Sequence, residues 1–530
     1  MHAKTIETQT AQSKTGETSR EILANPVHRA IAWLAGGILL LGFFHSSVGA
    51  WTGPVLAVWF AGTQRPRRGF LWLLGFSLVP ALAFGWRRFP LIGPLPALEF
   101  LGWSLVFAVL GVLPLTFHRL TSPRLPGLLA TLPFPMATTA LHVLVLPWIP
   151  SGVFVSDEML RSQRGNPVLM EAGARFGIGA MVFLVGWFAA TVVWMWNNEF
   201  RAAKIGRGAA FAGAVWIVVA ALPVLRMVQG SAVPTTLPAG TAFAWVCVAG
   251  IAAASLYALL NPPKTKPWAE RADTVARLQS PVTGQPLHVV QEQGREALVS
   301  ASAERFPIRD GIAGFLKPED LTGDNGKYNH LYETIGGFYD DTQRFFGAFR
   351  GVSLDSYFMN YMGLLTAKAG DSVLETSVGT GLNFKYLPKG VKLSGLDLSE
   401  EMLTNCQANL RRWGMEADLY LGNAESLPFA DGSFDIVYTA GAFNFFTDRP
   451  KAVREMIRVA RPGALLMIED ETEEYVKSTY ENIPFTSSFY KDRKDAVTVP
   501  VGLVPAEMEE IHLEMLKEGK FYAITFRKPL

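Results

Sequence analysis

Apolar runs follow one another through residues 29–260, separated by short breaks that are basic or rich in proline and glycine. A bilayer core needs about 20 apolar residues per helix, so the pattern predicts an all-α polytopic membrane domain with about eight transmembrane helices. The second run is short enough to form half of a hairpin instead. The runs cover residues 30–47, 49–62, 69–86, 95–117, 127–149, 177–196, 209–225 and 240–260.

The pattern changes in the C-terminal half, where short apolar runs alternate with helical stretches. This alternation is typical of a wound α/β sheet. The first, second, fourth and fifth strands are predicted at residues 372–374, 392–396, 433–437 and 465–468, and a terminal antiparallel hairpin at 511–516 and 521–526.

These patterns divide the chain into five parts. They are a polar N-terminal tail (1–28), a transmembrane domain (29–260), a basic, proline-rich linker (261–277), a small ribbon (278–318) and an α/β domain (319–530).

Charge is distributed unevenly between the two halves. Residues 1–262 hold 18 Lys/Arg and 8 Asp/Glu, whereas the remainder holds 30 and 38. With the N-terminus inside, loops on the inner side carry 16 Lys/Arg and loops on the outer side carry 6. Because cytoplasmic loops are enriched in these residues, we expect an integral membrane protein of the bacterial inner membrane, with the C-terminal half in the cytoplasm.

Composition also excludes several classes of protein. The mean hydropathy is +0.21 and only 18% of residues are charged, which is low for a soluble chain. Two cysteines, Cys247 and Cys406, exclude a disulfide scaffold and a cysteine-rich zinc site. The acidic C-terminal half gives no support for nucleic-acid binding.

A glycine-rich turn follows the first predicted strand, at residues 375–383, and leads into a predicted helix. Asp397 ends the second strand, 22 residues after Glu375, a spacing suited to binding a ribose diol. Dinucleotide-binding domains share such a turn, and a buried turn can need glycine for backbone reasons alone.

The segments that follow make the pattern more specific. They are residues 397–403, 422–429, 433–437 and 455–463. In this order and spacing, with the turn, they resemble the class I S-adenosylmethionine (SAM)-dependent methyltransferases. The most similar subgroup comprises the UbiE/MenG quinone C-methyltransferases and bacterial phospholipid N-methyltransferases. The resemblance implies a Rossmann-like fold for about residues 325–530, SAM as cofactor, and a helical cap ending at Phe338-Tyr339-Asp340.

The resemblance also implies roles for individual residues. The turn would approach the amino-acid part of SAM, Asp397 the ribose, Leu398 and Met402 the adenine face, and Asn423 and Ala424 the adenine edge. The predicted cofactor-binding residues are Glu375, Ser377, Gly379, Gly381, Asp397, Leu398, Met402, Asn423, Ala424, Thr439 and Ala440. The predicted acceptor pocket is Phe443, Asn444, Phe445 and Phe446, with core packing as the alternative role for its aromatic residues.

Catalytic residues are not identified by the sequence, because the sulfonium of SAM is already a strong electrophile. Tyr339 and Asn444 are candidates for positioning. This chain departs from the family at Ser377, where glycine is usual, and at Asn423, where aspartate often contacts the adenine amine. Ala464 interrupts a common Pro-Gly-Gly.

The ribbon resembles the Trm112-type zinc-ribbon module, through Ser280-Pro-Val-Thr283 and the segment 305–312. Within that segment, the Asp310-Gly311 pair predicts a hairpin or turn. Ser280 and Thr283 stand where two thiolates would bind zinc. Hydroxyls do not replace thiolates on structural zinc, so we expect no metal. The segment could also be only a spacer.

Part of the membrane half resembles the membrane domain of apolipoprotein N-acyltransferases. The resemblance rests on residues 132–135, 163–177, 183–188 and 194–196. The catalytic nitrilase domain of that family is missing, as is its Glu-Lys-Cys set. The resemblance implies a lipid-facing scaffold, and a generic anchor is the alternative.

Together these features predict an integral membrane SAM-dependent methyltransferase. Its partners would be the bilayer and a lipophilic or amphipathic acceptor, either a quinone-like ring carbon or an aminophospholipid nitrogen. Two alternatives remain: a non-catalytic SAM-binding regulator of the membrane domain, and a lipid-handling or transport protein with an auxiliary soluble domain.

Overall fold

Two compact units make up the chain, Met1–Lys264 and Thr265–Leu530. The computed structural model describes residues 49–63, 74, 78, 96–145, 163, 166–198, 202–229, 237–261, 266–292, 294–341, 343, 354–479, 481 and 497–530. The predicted polar tail and the apolar run at 30–47 lie outside these residues, as does nearly all of the run at 69–86.

The described residues of the first unit are mostly helical and include no strand. Its α-helices are α1 (Gly49–Thr63), α2 (Pro96–Thr121), α3 (Pro133–Ala140), α4 (Pro167–Phe176), α5 (Ile178–Asn197), α6 (Ala202–Gln229) and α7 (Leu237–Leu260). Two 3₁₀ turns, Ser122–Arg124 and Gly127–Thr131, join α2 to α3, and a π turn, Leu141–Val145, extends α3.

Four described stretches are long and apolar enough to cross a membrane: Ser104–Arg124, Gly127–Val145, Ile178–Asn197 and Phe243–Leu260. Gly208–Ala221 is a shorter apolar helix. These stretches overlap five of the eight predicted runs. A count of about eight transmembrane helices stays a prediction.

Helix α5 lies at the centre of the first unit, with 67% of its apolar stretch buried, against 17% for that of α7. Gly186 of α5 allows a close helix contact, because a Cβ there would lie 3.2 Å from the Cα of Pro135. Next to it, the indole of Trp187 donates a hydrogen bond to Thr131 Oγ1 at 2.9 Å.

The second unit is built on one eleven-stranded sheet. Its strands are β1 (Leu287–Glu292), β2 (Arg295–Ser300), β3 (Arg305–Arg309), β4 (Ile312–Gly314), β5 (Ser372–Glu375), β6 (Lys392–Asp397), β7 (Asp418–Leu421), β8 (Phe434–Ala440), β9 (Ala460–Glu471), β10 (Glu509–Leu516) and β11 (Phe521–Arg527). Their order is β1-β2-β3-β4-β7-β6-β5-β8-β9-β11-β10. Strands β4 to β9 are all parallel where they pair with one another. Strand β3 is antiparallel to β4, and β11 is antiparallel to β9.

The helices of this unit connect the strands. They are α8 (Ala272–Val275), α9 (Gly323–Ile335), α10 (Leu354–Met362), α11 (Glu400–Trp413), α12 (Arg449–Val459) and α13 (Glu473–Thr479). Helix α11 shows how local sequence sets these bounds. Ser399 caps its first turn by accepting from the N–H of Met402, and Gly414 ends it in a left-handed conformation.

The ribbon is part of this sheet, so the spacer alternative is wrong. Its strand β4 pairs in parallel with β7, aligning Ala313 with Tyr420. The predicted turn at Asp310-Gly311 is confirmed, with both residues at positive φ between β3 and β4. The pairing covers the β7 edge of the sheet, an edge that would otherwise expose unpaired backbone groups.

One predicted helix is much shorter than expected. The chain after the glycine-rich turn forms only a 3₁₀ helix, Leu382–Tyr386, before β6 begins at Lys392. Pro388 and the few residues available leave no room for a full helix. The terminal hairpin is confirmed, with β10 and β11 joined through residues 517–520.

Candidate functional site

The order of the parallel strands in the sheet reverses between β5 and β8. From β5 the chain runs outward through β6 and β7, and then returns to β8 and β9 on the other side. Ligands of open parallel sheets bind at such a switch point, beyond the carboxyl ends of the strands. These ends hold Glu375, Asp397, Ala440 and Glu471.

The glycine-rich turn begins directly after β5. Gly379 and Gly381 both have positive φ, at +52° and +76°. A Cβ at Gly381 would lie 2.6 Å from the sulfur of Cys406, whereas one at Gly379 would meet only the end of Met402. Gly381 is therefore needed for packing on α11, and Gly379 keeps the backbone open where a ligand would approach.

Asp397 is half-buried at the end of β6. Its two carboxylate oxygens accept from the backbone N–H of Gly379 at 2.8 Å and of Ser399 at 2.9 Å. Burial raises the pKa of this carboxyl to about 6, against the opposing effect of those hydrogen bonds. Each oxygen keeps a further lone pair, so the carboxylate can still accept from a ribose diol.

Glu375 is fully buried beneath the turn. Its carboxylate accepts from Asn383 Nδ2 and from the hydroxyl of Tyr438, and Asn383 in turn accepts from Tyr361. Burial raises the pKa of Glu375 to about 8. These contacts favour a structural role under the turn over the predicted contact with the cofactor.

Ser377 replaces the usual glycine, and its hydroxyl lies 2.7 Å from that of Thr439 at the end of β8. Thr439 is fully buried and Ala440 is half-buried. The substitution therefore adds a hydrogen bond between the turn and β8. Thr376, also buried, has a hydroxyl without a hydrogen-bond partner among the described residues.

The residues predicted to surround the adenine come together on the β6 and β7 side. Leu398 is half-buried, whereas Met402 and Ala424 are buried. Asn423, 8% exposed, accepts from the N–H of Glu425 at 2.9 Å through its side-chain oxygen.

The predicted helical cap, Tyr328 to Asp340, covers the turn through side-chain contacts that the sequence did not predict. Asp340 accepts from Thr380 Oγ1 at 2.6 Å and from Asn409 Nδ2 at 2.7 Å. Glu333 on α9 accepts from the hydroxyl of Ser399 and the N–H of Glu401. The Phe338-Tyr339-Asp340 segment was the only sequence signal of these contacts.

Tyr339 lies in the same segment, half-buried, with its ring edge-on to Tyr332 at 5.9 Å. Burial raises the pKa of its hydroxyl, and the carboxylates of Glu471, Asp340 and Asp397 raise it further. The phenol therefore stays protonated at neutral pH and suits a hydrogen-bond donor better than a base.

The predicted acceptor pocket is largely occupied by packing. Phe443 and Phe445 belong to two hydrophobic cores and are 0% and 6% exposed. Asn444 donates to the carbonyl of Glu471 and accepts from the Tyr522 hydroxyl, both within 2.8 Å. The 3₁₀ turn Phe443–Phe445 directs these side chains inward, so the structure favours the alternative of core packing. Phe446 is half-buried, and its ring lies 5.5 Å from that of Phe443. Contact of these residues with an acceptor stays a prediction.

Three acidic residues at the end of β9 are buried, although no sequence pattern predicts their burial: Glu469, Asp470 and Glu471. Asp470 accepts from the N–H groups of Asn444 and Glu471, both at 2.7 Å. Burial and the neighbouring Glu471 hold the pKa of Asp470 well above its usual range. The raised pKa favours the neutral form of Asp470, so this group does not by itself add negative charge to the site.

The residues present fit SAM. The open backbone at Gly379, the available lone pairs of Asp397 and the unpartnered hydroxyl of Thr376 lie around one turn at the switch point. No cluster of three or more His, Cys, Asp or Glu suited to a metal ion occurs among the described residues.

Known proteins match the same part of the chain. The methyltransferase domain family matches residues 374–468. Over 156 residues the chain is 28% identical to the ubiquinone/menaquinone biosynthesis C-methyltransferase of Bdellovibrio bacteriovorus, covering 29% of this chain and 63% of that protein. It is 34% identical over 108 residues to the demethylmenaquinone methyltransferase of Thermus thermophilus, covering 20% and 49%.

Other relatives have different acceptors in their names. The chain is 37% identical over 107 residues to the malonyl-[acyl-carrier protein] O-methyltransferase of Erwinia pyrifoliae, covering 20% of this chain and 39% of that protein. A solved structure of a SAM-dependent methyltransferase from Aquifex aeolicus aligns with 18% identity and a TM-score of 0.25, covering 32% of this chain and 88% of that one.

These relatives are matched over only part of their lengths, 63% at most among those named here. The matched region contains the turn, Asp397, Asn423 and strands β6 to β8, all within residues 374–468. Residues 374–468 of unit 2 are therefore similar to methyltransferase domains, and S-adenosylmethionine is the cofactor that this similarity and the geometry of the site support.

Proposed function

We propose that this chain is a membrane-anchored, SAM-dependent methyltransferase that acts on a lipophilic or amphipathic acceptor. The observation that carries the proposal is the group of residues at the switch point. The glycine-rich turn, Asp397 and the ends of β5 and β8 meet there, within the matched region.

SAM supplies an activated methyl group, so the protein mainly has to bind, orient and exclude water. Asp397 would hold the ribose as a hydrogen-bond acceptor, and the turn would receive the amino-acid part. The segment around Asp340 would shield the turn from water, because Thr380 and Asn409 fasten it there. A catalytic base is required only if the accepting atom must lose a proton.

The first unit supports membrane anchoring through its surface. Ile217 on α6 and Val246 on α7 are 72% and 65% exposed, on helices whose sequences are apolar for one or more turns around them. Water disfavours such a surface, whereas lipid does not. The excess of Lys/Arg in the predicted inner loops supports a cytoplasmic position for unit 2, where SAM is made.

A lipid-soluble acceptor follows from this arrangement, because an enzyme acting on a soluble substrate gains little from transmembrane helices. The quinone methyltransferases among the relatives favour a ring carbon of a quinone-like lipid. An aminophospholipid nitrogen is the other acceptor that the sequence resemblance supports.

The experiment is incubation of the full-length protein in membranes of its host with methyl-labelled SAM, followed by lipid extraction. We expect label in an organic-soluble species, and mass spectrometry of that species identifies the accepting atom. The matched control is the Asp397→Ala protein, which should transfer far less label.

Two results would contradict the proposal. SAM binding without transfer to any membrane component would favour the non-catalytic regulator. A reporter fused at Leu530 that reads as periplasmic would overturn both the predicted topology and the enzyme assignment.

A further inference from the structure

The ribbon reaches the cofactor site at one point. Strand β4 pairs with β7 up to the alignment of Gly314 with Leu421. The next two N–H groups, of Phe315 and Leu316, both donate to the carbonyl of Leu421, at 2.7 and 3.1 Å. The chain is thereby guided past the carboxyl end of β7, where Asn423 lies.

The 3₁₀ turn Pro318–Leu321 comes next and holds Asp320 beside Asn423. One carboxylate oxygen of Asp320 accepts from the N–H of Lys317 at 2.8 Å, which fixes the side chain within its own turn. The other accepts from Asn423 Nδ2 at 3.2 Å.

The amide of Asn423 can then adopt only one orientation. Its nitrogen faces the carboxylate of Asp320, and its oxygen accepts from the N–H of Glu425 at 2.9 Å. A flipped amide would place oxygen against carboxylate and N–H against N–H, losing both hydrogen bonds. The orientation is therefore set by the surrounding donors and acceptors.

We propose that Asp320 is a positioning residue for cofactor recognition: it holds the Asn423 oxygen towards the exocyclic amine of the adenine. This inference rests on the proposed function and adds a specific role for the ribbon, which supplies a side chain to the site. The Asn423 oxygen keeps one lone pair for the amine after accepting from Glu425.

The pair also accounts for asparagine at position 423, where the resemblance leads one to expect aspartate. An aspartate there would place a second carboxylate beside that of Asp320. Two carboxylates at hydrogen-bond distance cannot both ionise without strong repulsion. With Asp320 supplied by the ribbon, asparagine is the residue that fits.

The test uses the full-length protein in detergent micelles and measures the dissociation constants of SAM and of its inosyl analogue, in which a carbonyl replaces the adenine amine. Asp320→Ala should weaken SAM binding about tenfold, the effect of about one hydrogen bond to a charged group. The preference for the adenosyl over the inosyl compound should fall with it. Glu319→Ala removes a neighbouring exposed charge from the same turn and is the matched control, expected to change neither quantity.

A reciprocal exchange separates positioning from folding. Asn423→Asp alone should weaken SAM binding by repulsion, and combining it with Asp320→Asn should restore the affinity to within about threefold, because the hydrogen bond is remade in reverse. Melting temperatures of all variants report folding.

The outcomes are distinguishable. A wild-type protein that does not bind SAM overturns the proposed function and this inference together. A wild-type protein that binds SAM, with Asp320→Ala leaving affinity and adenine preference unchanged, overturns the inference alone. The inference is also overturned if Asp320→Ala weakens SAM binding without changing the preference for adenine and if Asp320→Asn combined with Asn423→Asp does not restore the affinity.

Discussion

The two units of the chain place their apolar side chains in opposite ways. Among the described residues, 20 of the large apolar side chains that are exposed belong to the first unit and 7 to the second. In the second unit, the carboxylates of Glu375, Glu469 and Asp470 are buried, and they gather at the carboxyl ends of the strands.

This contrast is what the proposed membrane anchoring of the first unit predicts. Apolar surface in water costs roughly 25 cal/mol per Å², so a covering of lipid or protein would stabilise the exposed helices of the first unit. The second unit has an apolar core, and several of its buried acidic residues lie at the carboxyl ends of its strands. The following predictions test both halves of the contrast.

The largest effect is expected from the polar site of unit 2. Asp397→Ala should weaken SAM binding by about one to three orders of magnitude, since each charge-assisted hydrogen bond contributes roughly 1.5–3 kcal/mol. The melting temperature should also fall, because the N–H groups of Gly379 and Ser399 lose their acceptor. Calorimetric titration and thermal unfolding measure the two effects. A destabilised protein with unaltered SAM affinity would show that the cofactor lies elsewhere.

A charge introduced on an exposed apolar surface should strongly impair membrane insertion in the first unit but hardly change stability in the second. Val246→Arg on α7 should impair membrane insertion by about 2.5–3.5 kcal/mol if that surface faces the bilayer centre. Leu513→Arg on β10, where the side chain is 47% exposed, should change stability by less than about 0.5 kcal/mol.

The measurement is the membrane-integrated fraction of each variant after alkaline extraction. Equal integration of Val246→Arg and wild type would contradict a lipid-facing α7. Loss of folding in Leu513→Arg would show that the β10 surface is covered by another part of the protein or by a partner.

Acidic pH should weaken cofactor binding. The carboxyl of Asp397 has a pKa of about 6, and only its ionised form accepts from both hydroxyls of a ribose. SAM affinity should therefore be constant above pH 7 and fall as the pH drops through 6, by up to about tenfold per pH unit. Titrations between pH 5 and 8 test this, and a flat profile would exclude Asp397 as the ribose ligand.

The smallest effect on SAM binding is expected from Glu375, whose side chain is fully buried and hydrogen-bonded to Asn383 and Tyr438. Its pKa is about 8 in the folded protein and 4.5 as an ordinary carboxyl, so between these values the folded state binds the additional proton. Protonation of Glu375 therefore contributes to the free energy of unfolding at low pH. This contribution is lost as the pH rises towards 8, by at most about 1.4 kcal/mol per pH unit.

Glu375→Gln removes this ionisation and should flatten the dependence of unfolding free energy on pH. Its SAM affinity should stay within about threefold of wild type, as expected for a side chain that supports the turn without touching the ligand. A larger loss of affinity, with the melting temperature unchanged, would restore Glu375 to the predicted cofactor-binding residues.

Much of the site could be predicted because its signals are local. The turn at 375–381 and Asp397 at the end of β6 were recognisable from strand, glycine and spacing alone, and the structure brings them within hydrogen-bond distance. The ribbon turn at Asp310-Gly311 and the terminal hairpin follow from equally short patterns.

Other features required the tertiary structure. The sequence pattern of an aromatic residue after a strand is the same whether its ring lines a pocket or packs in a core. In the structure, Phe443 and Phe445 are buried core residues. The sequence likewise suggests an amide available to a ligand at Asn444. In the structure this amide donates to the Glu471 carbonyl and accepts from the Tyr522 hydroxyl.

The sequence by itself determined where the described apolar helices and most of the α/β strands occur. It also determined that a glycine-rich turn follows the first strand and that Asp397 ends the second, because these features depend on periodicity and on residues close along the chain. The tertiary structure alone decided that the ribbon joins the sheet at β7, that Glu375 lies beneath the turn and that Asp320 meets Asn423. The physical reason is separation along the chain. Asp320 and Asn423 are 103 residues apart, and only the pairing of β4 with β7 brings a carboxylate from the ribbon to the amide at the end of β7.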